Sequence, residues 1–458
     1  MAANSSILSR ESQREDSPTA PNLLEPRILK RSEASVRISQ LVLLILILCY
    51  ALQVFSPLRL NNDAIALLSM GESAAEGHGF LQHGQKTVFP QGYPALLEIM
   101  LKTGLGHSWA IIGLNVILLA AGLFAAYRLL VNELFKDKVL ALQLCSLSLL
   151  SFVVIKHFTI ALTDIAFLCC AMCCVALMSH ASVVTWGRRY ALAIAASWAL
   201  MVGSIAVRRI GVALVPALLL AMASRPEIKT FLRNCSARAK AIAGTVILAG
   251  FVGTIWVVAR TSTLSDFSKA ANKYSWIGLA MKMVSYRLTE LGELTMNLPL
   301  TKLPARLHGL IPFIGLVPLL FTIAGLLAIV RKRKHLGPTD AFMVSYMAIL
   351  FVWPYYDARF WLPVIPLLIG YSDASIRQAI KFGMPKALAA VYISAFVILG
   401  IASIGYSTRI TFAGSKFPDV YGDGTLRPTY CAAFQSCSDS FDKNKVDPES
   451  LHLLQIYR

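Results

Sequence analysis

Asp63 stands just past the end of the first very apolar run of this chain, and Asp164, in Thr163-Asp164, opens a later one. Lys156-His157 end the run before Asp164, and Arg208-Arg209 sit where two further runs meet. Near the end of the apolar region comes Tyr355-Tyr356-Asp357-Ala358-Arg359-Phe360, followed by Pro363 and Pro366. A carboxylate can take the proton of an attacking hydroxyl or amide. Guanidinium groups hold phosphate through paired hydrogen bonds and neutralise it as it leaves. Together these residue types describe a group transfer away from a phosphate. Each also has a plainer use. The acid in Asn61-Asn62-Asp63 can cap a helix. Asp164 can complement a helix dipole, and Arg208-Arg209 can snorkel to an interface. His157 can be an interfacial histidine. Arg359 can pair with Asp357 alone, a contact worth little.

The elements that must position these residues are membrane spans. Hydrophobic residues make up 56% of the 458 and charged ones 15%, where a soluble domain carries roughly a quarter. Mean hydropathy is +0.62. Apolar runs of near-span length recur, which predicts an all-α polytopic membrane protein with about eleven transmembrane helices. They are expected near Ile38–Ser56, His107–Leu130, Val139–Lys156, Ala161–His180, Tyr190–Val207, Arg209–Ser224, Ala241–Ala259, Leu310–Val330, Asp340–Pro354, Trp361–Ile376 and Ala387–Ser407.

The net charge of +18 does not call for nucleic acid, because the basic residues cluster in short loops between apolar runs. With the N-terminus cytoplasmic, Arg188-Arg189, Arg331-Lys332-Arg333-Lys334 and Arg377, Lys381 and Lys386 all fall inside. The expected organisation is a flexible cytoplasmic tail over residues 1–37, a membrane domain over 38–407, and a small extracytoplasmic tail over 408–458. Two long extracytoplasmic loops interrupt the membrane domain, at 57–106 and 260–309. The second is basic, the main misfit to the charge rule. In the first, amphipathic helices are predicted at Asn62–Glu76 and Tyr93–Thr103. In the second, an interfacial helix is predicted at Tyr274–Leu291, with Trp276, Tyr286 and Arg287 suited to headgroup depth.

Of nine cysteines, Cys169, Cys170, Cys173 and Cys174 lie inside one apolar run and behave as small hydrophobes. Cys431 and Cys437 lie in the polar tail on the oxidising side and are expected to pair. No repeat or low-complexity segment stands out.

The stretch from Asn61 to Leu97 carries the most information. Asp63 is followed by an Ala/Ser-rich helix, then Glu76-Gly77-His78-Gly79-Phe80, then Pro90-Gln91-Gly92-Tyr93-Pro94. That order resembles the first extracytoplasmic loop of GT-C glycosyltransferases, which take sugar from a polyprenyl-phosphate donor. Arg209-Ile210-Gly211 up to Pro216 looks like a recurrent segment of the superfamily. Arg359-Phe360 with Pro363 and Pro366 resembles a late segment of its polyprenyl-phosphate-mannose members. The likeness is closest to the protein mannosyltransferase and aminoarabinose transferase branch.

The resemblance implies a multi-pass inner or plasma membrane enzyme of the cell envelope, or an endoplasmic reticulum one in a eukaryote. It would transfer a hexosyl or pentosyl unit to a lipid, glycan or protein acceptor outside the cytoplasm. It implies Asp63 and Asp164 as catalytic, with Arg359, Arg208, Arg209, Tyr93, His157 and Tyr356 binding substrate. Relatives often carry two adjacent acids where this chain has Asn62-Asp63.

No cofactor is expected. His78 and His83 lie near Glu72 and Glu76, but without tight metal-ligand spacing. Some members, the asparagine-linked oligosaccharyltransferases, hold a divalent cation on acidic clusters; no D-x-D occurs in this first loop. The rival class is a transporter or lipid flippase, which would show internal repeats and broken mid-membrane helices.

Overall fold

The computed structural model describes residues 25–82, 84–87, 89–225, 227, 230, 275–421, 425–437 and 441–457. These are helical apart from connecting loops and one small antiparallel hairpin, Leu81–Gln82 with Gln85–Lys86. Six helices are long and apolar enough to cross a membrane: Glu33–Phe55, Ser108–Phe135, Thr163–Val183, Arg188–Val207, Ala305–Arg333 and Lys386–Thr411. Lys138–Leu149 and Phe152–Phe158 are an apolar helix pair bent by 58°, which makes a seventh crossing if the pair is one span. Shorter apolar helices at Arg209–Ala223 and Pro338–Phe351, and the helix Ile365–Lys381, lie on other expected spans. Each expected span but one therefore carries a described helix, though fewer than eleven have full crossing length. The exception, Ala241–Ala259, lies outside the described residues, as does most of the expected N-terminal tail.

The bend has a polar cause. Asn297 reaches into the break, accepting from Phe152 N at 2.7 Å and donating to Leu150 O at 2.9 Å. A side chain that satisfies the freed backbone groups makes a broken helix tolerable in an apolar setting. Asn297 itself ends the Trp276–Met296 helix in a left-handed conformation.

That helix covers the predicted segment from Trp276 to Leu291, with Trp276 exposed at its start, and departs from expectation at Arg287. It runs antiparallel against Ile311–Arg333, with Gly292 against Ile311 and Gly315 against Leu288. Arg287, expected at headgroup depth, is fully buried. The reason is Glu290 one turn on, 2.8 Å away and equally buried: a paired charge can enter where a lone one cannot.

The first loop folds as predicted into two helices, Asn62–Ala75 and Gly92–Lys102. The C-terminal residues are less of a tail than expected. Lys386–Thr411 runs past residue 408, and the short helices Phe417–Tyr421, Arg427–Phe434 and Pro448–Ile456 then fold back over the first loop. Tyr430 donates to Leu58 O at 2.9 Å and accepts from Leu60 N at 2.8 Å. Phe417, Tyr430, Leu453 and Tyr457 share one core with Leu60, Leu68, Tyr93 and Leu97. Cys431 and Cys437 form the expected disulfide.

Arg59 fastens this unit to the bundle. It is buried and donates to Ser407 Oγ and Thr411 Oγ1, each at 3.0 Å, and to Ser407 O at 3.1 Å. Burial pushes its guanidinium down to about 10, so it stays a cation at neutral pH.

Asp164 begins the Thr163–Val183 helix, Arg188-Arg189 begin the next helix and Arg208 ends it. Asp164 and Arg208 thus lie at one end of the bundle, and the basic positions Arg188-Arg189 and Arg331-Lys332-Arg333-Lys334 at the other. We predict that a tag at Lys334 reads as cytoplasmic and one at Gln85 as extracytoplasmic. Accessibility of Gln85 from the cytoplasmic side alone would invert the topology.

Candidate active site

Asn61 caps the first-loop helix, accepting from Ala64 N at 2.8 Å. The alternative use of Asp63 as the cap is therefore taken by its neighbour. Asp63, in the first turn, forms an ion pair with Arg359, which lies 296 positions further along the chain.

Arg359 arrives on a short 3-10 helix, Ala358–Val364. Asp357 caps it, accepting from Arg359 N at 3.0 Å, and its other oxygen lies 2.8 Å from Arg359 Nε. Burial works against the charge of Arg359, but Asp164, Asp357 and Asp63 outweigh it and hold the guanidinium above its ordinary range. Arg359 is thus a fixed cation even though only 13% of its side chain is exposed.

Asp164 lies almost fully buried in the first turn of Thr163–Val183 and pairs with Arg208. Arg208 leaves the Arg188–Val207 helix in extended backbone and turns at once into the 3-10 turn Arg209–Ala213. That turn needs Gly211, because a Cβ there would fall 2.7 Å from Ile205 N. Gly92 does the same for the first loop: a Cβ would fall 2.6 Å from the Ala206 carbonyl carbon. The glycine of Gly92-Tyr93-Pro94 is where the first loop rests on the helix that delivers Arg208.

A buried ion pair supports the late segment. Glu290 accepts from Asp357 N at 2.7 Å and from Trp361 Nε1 at 2.9 Å, while Arg287 donates to Tyr355 O. The Phe360 ring is then flanked by three guanidiniums, those of Arg208, Arg287 and Arg359, at 5.2, 5.7 and 5.8 Å. An aromatic face attracts each of them.

These elements enclose a cavity of about 430 Å³. Asp63, Asp164, Arg208, Arg209, Tyr356 and Arg359 all line it, so six expected site residues from separate parts of the chain converge. Asp357 lines it too, with Trp353, Tyr355 and Phe89. Two expected residues do not. Tyr93 is buried in the core of the first loop, and its hydroxyl has no hydrogen-bond partner among the described residues. His157 is buried with Nδ1 2.8 Å from Val153 O. Both side chains are drawn inward by the packing of their own helices.

Sequence reasoning missed Glu290 and used Arg287 wrongly. The available signal was an Arg and a Glu three positions apart on a mostly apolar helix, where charges are costly unless paired. His78 lies 3.4 Å from Glu76 at an exposed turn, and His83 is outside the described residues. Among the described residues no group of three or more His, Cys, Asp or Glu converges on a point.

No protein-family model matches the chain, and no curated protein matches it. Among solved structures it is similar to ArnT from Cupriavidus metallidurans bound to undecaprenyl phosphate. Identity is 14% over 90% of this chain and 69% of that one, with a TM-score of 0.43. It is also similar to the archaeal oligosaccharyltransferase AglB from Archaeoglobus fulgidus, in complex with an inhibitory peptide and a dolichol-phosphate. Here identity is 12% over 92% of this chain and 64% of that one, with a TM-score of 0.48. With TM-scores below 0.5, the functional reading rests on the chain's own geometry.

Proposed function

We propose that this chain is a membrane glycosyltransferase of the GT-C type, moving a sugar from a polyprenyl-phosphate donor to an acceptor outside the cytoplasm. The observation that carries the reading is the pairing of Asp63 with Arg359 inside a cavity that also holds Asp164 and Arg208. A base and two phosphate-type cations share one chamber at one end of an apolar bundle. Asp164 opens its helix and Arg208 ends its own, whereas a transporter site is expected along the middle of broken helices.

The donor is a phosphodiester with one negative charge. Its oxygens compete with Asp63 for Arg359 and with Asp164 for Arg208. Engagement of Arg359 by phosphate frees the Asp63 carboxylate to face the acceptor. Asp63 then takes the proton of the acceptor hydroxyl or amide as that atom attacks the anomeric carbon.

The bond from the anomeric carbon to the phosphate oxygen breaks, and its electron pair leaves with the phosphate. The leaving group gains a second negative charge, so the arginines hold it more strongly in the transition state than in the bound donor. Asp164, expected as a second catalytic carboxylate, serves in this scheme to orient Arg208. Trp353 and Tyr355 at the cavity suit headgroup depth, where the isoprenoid chain would enter. The volume suits one sugar phosphate, within the usual span of small-ligand pockets.

Arg359→Lys keeps the charge but loses the planar fork that engages two phosphate oxygens. It is expected to raise the donor concentration needed for half-maximal transfer by ~10-fold or more, at roughly a few kcal/mol for close phosphate contacts. Arg188→Lys, at the far end of the bundle, is expected to leave it unchanged. Donor titration on matched, folded variants decides it. An unchanged donor dependence in Arg359→Lys and in Arg359→Ala would remove the phosphate clamp.

A further inference from the structure

A second cavity, about 1110 Å³, opens at the opposite end of the bundle. It is bounded by the ends of Ser108–Leu129, Thr163–Val183 and Ile311–Arg333 and the start of Pro338–Phe351. Asp164 in the first cavity and His180 in this one share a helix, 16 residues and therefore about 24 Å apart. Nothing in the transfer reaction uses it.

Its two halves differ in chemistry. The rim carries Arg128, Lys136, His180, Lys332 and His335, all exposed. The one acid among its described lining residues is Glu133, already facing Arg333 at 3.6 Å, and Arg333 is also paired with the buried Asp340. The floor charges thus answer one another, while the rim cations Arg128, Lys136 and Lys332 have no acidic partner among the described residues. The wall is apolar, made by Phe124, Leu129, Ala176, Leu177 and Val183. Phe124 and Val183 are 63% and 78% exposed, so the wall opens sideways toward the surface that a bilayer would cover.

We propose that this cavity seats an anionic phospholipid, its headgroup phosphate against the rim and its acyl chains along the apolar wall. A free inorganic anion would use the rim but would leave the wall and most of the volume without a role. A neutral lipid would use the wall but would leave the cations without one. Basic pockets between spans on the cytoplasmic side are suited to acidic headgroups.

The test uses the full-length chain in nanodiscs holding equal amounts of phosphatidylglycerol and phosphatidylcholine, followed by detergent extraction and native mass spectrometry. Wild type is expected to retain phosphatidylglycerol in at least ~10-fold excess. Arg128→Gln/Lys136→Gln/Lys332→Gln, which alters only exposed side chains, is expected to bring the two lipids near parity. Millimolar inorganic phosphate is expected to leave the retained lipid in place. Equal retention of both lipids by wild type would overturn the proposal. Unchanged retention in the triple variant would do the same, and displacement by inorganic phosphate would identify a plain anion site instead.

Discussion

Asp63→Asn is expected to leave the chain folded and to cut transfer by at least ~100-fold, the scale on which general-base loss acts. The substitution keeps size and removes basicity. It does not cost the helix its cap, because Asn61 fills that role. Nor does it leave Arg359 alone, because Asp357 stays 2.8 Å from its Nε. Stability and catalysis are thereby separable at this position. Single-turnover transfer at saturating donor, with the variant eluting and unfolding as wild type does, is the measurement. Near-normal turnover in such a folded variant would take the base assignment away from Asp63.

Glu290→Ala should be the most destabilising single change near the site. Its carboxylate and Arg287 are both 0% exposed, and it also accepts from Asp357 N and Trp361 Nε1. Removing it leaves a buried cation, the buried Trp361 Nε1 and the half-buried Asp357 N without their partner, a loss of about 3–5 kcal/mol for a broken buried pair. Because those donors belong to the segment bearing Arg359, donor use should fall as well. Arg287→Met/Glu290→Met removes both charges and should recover the part of the stability lost to the unpaired cation, since an apolar pair of similar volume often substitutes for a buried ion pair without net cost. Denaturant unfolding of the three proteins in one detergent reads this out. Glu290→Ala within ~1 kcal/mol of wild type would mean that the pair does not hold the late segment.

The parts legible in the sequence were those that local chemistry dictates. The first-loop helices follow from their amphipathic runs and from Gly92, and the residues at helix starts follow from where apolar runs begin. Convergence of Asp63 and Arg359 was legible only through the resemblance, since nothing local links residues 296 positions apart. The burial of Arg287 was hidden because its compensation is tertiary: Glu290 neutralises it, and Tyr355 O receives its donor. The inward turn of Tyr93 and His157 was hidden for a similar reason, since a residue type says what a side chain can do but not which face of its helix meets the cavity. The C-terminal residues lacked long periodic runs, and their order comes from packing on Leu58, Leu60 and Leu68.

The central claim is that the cavity around Asp63, Arg208 and Arg359 takes a polyprenyl phosphate. Lipid identification by native mass spectrometry after incubation with polyprenyl phosphate tests it most directly, comparing wild type with Arg208→Ala/Arg359→Ala. The account predicts one polyprenyl phosphate held per wild-type chain and at least ~10-fold less on the double variant, from the loss of two charge-assisted phosphate contacts. Equal occupancy of the two proteins, or no polyprenyl phosphate on either, would contradict it.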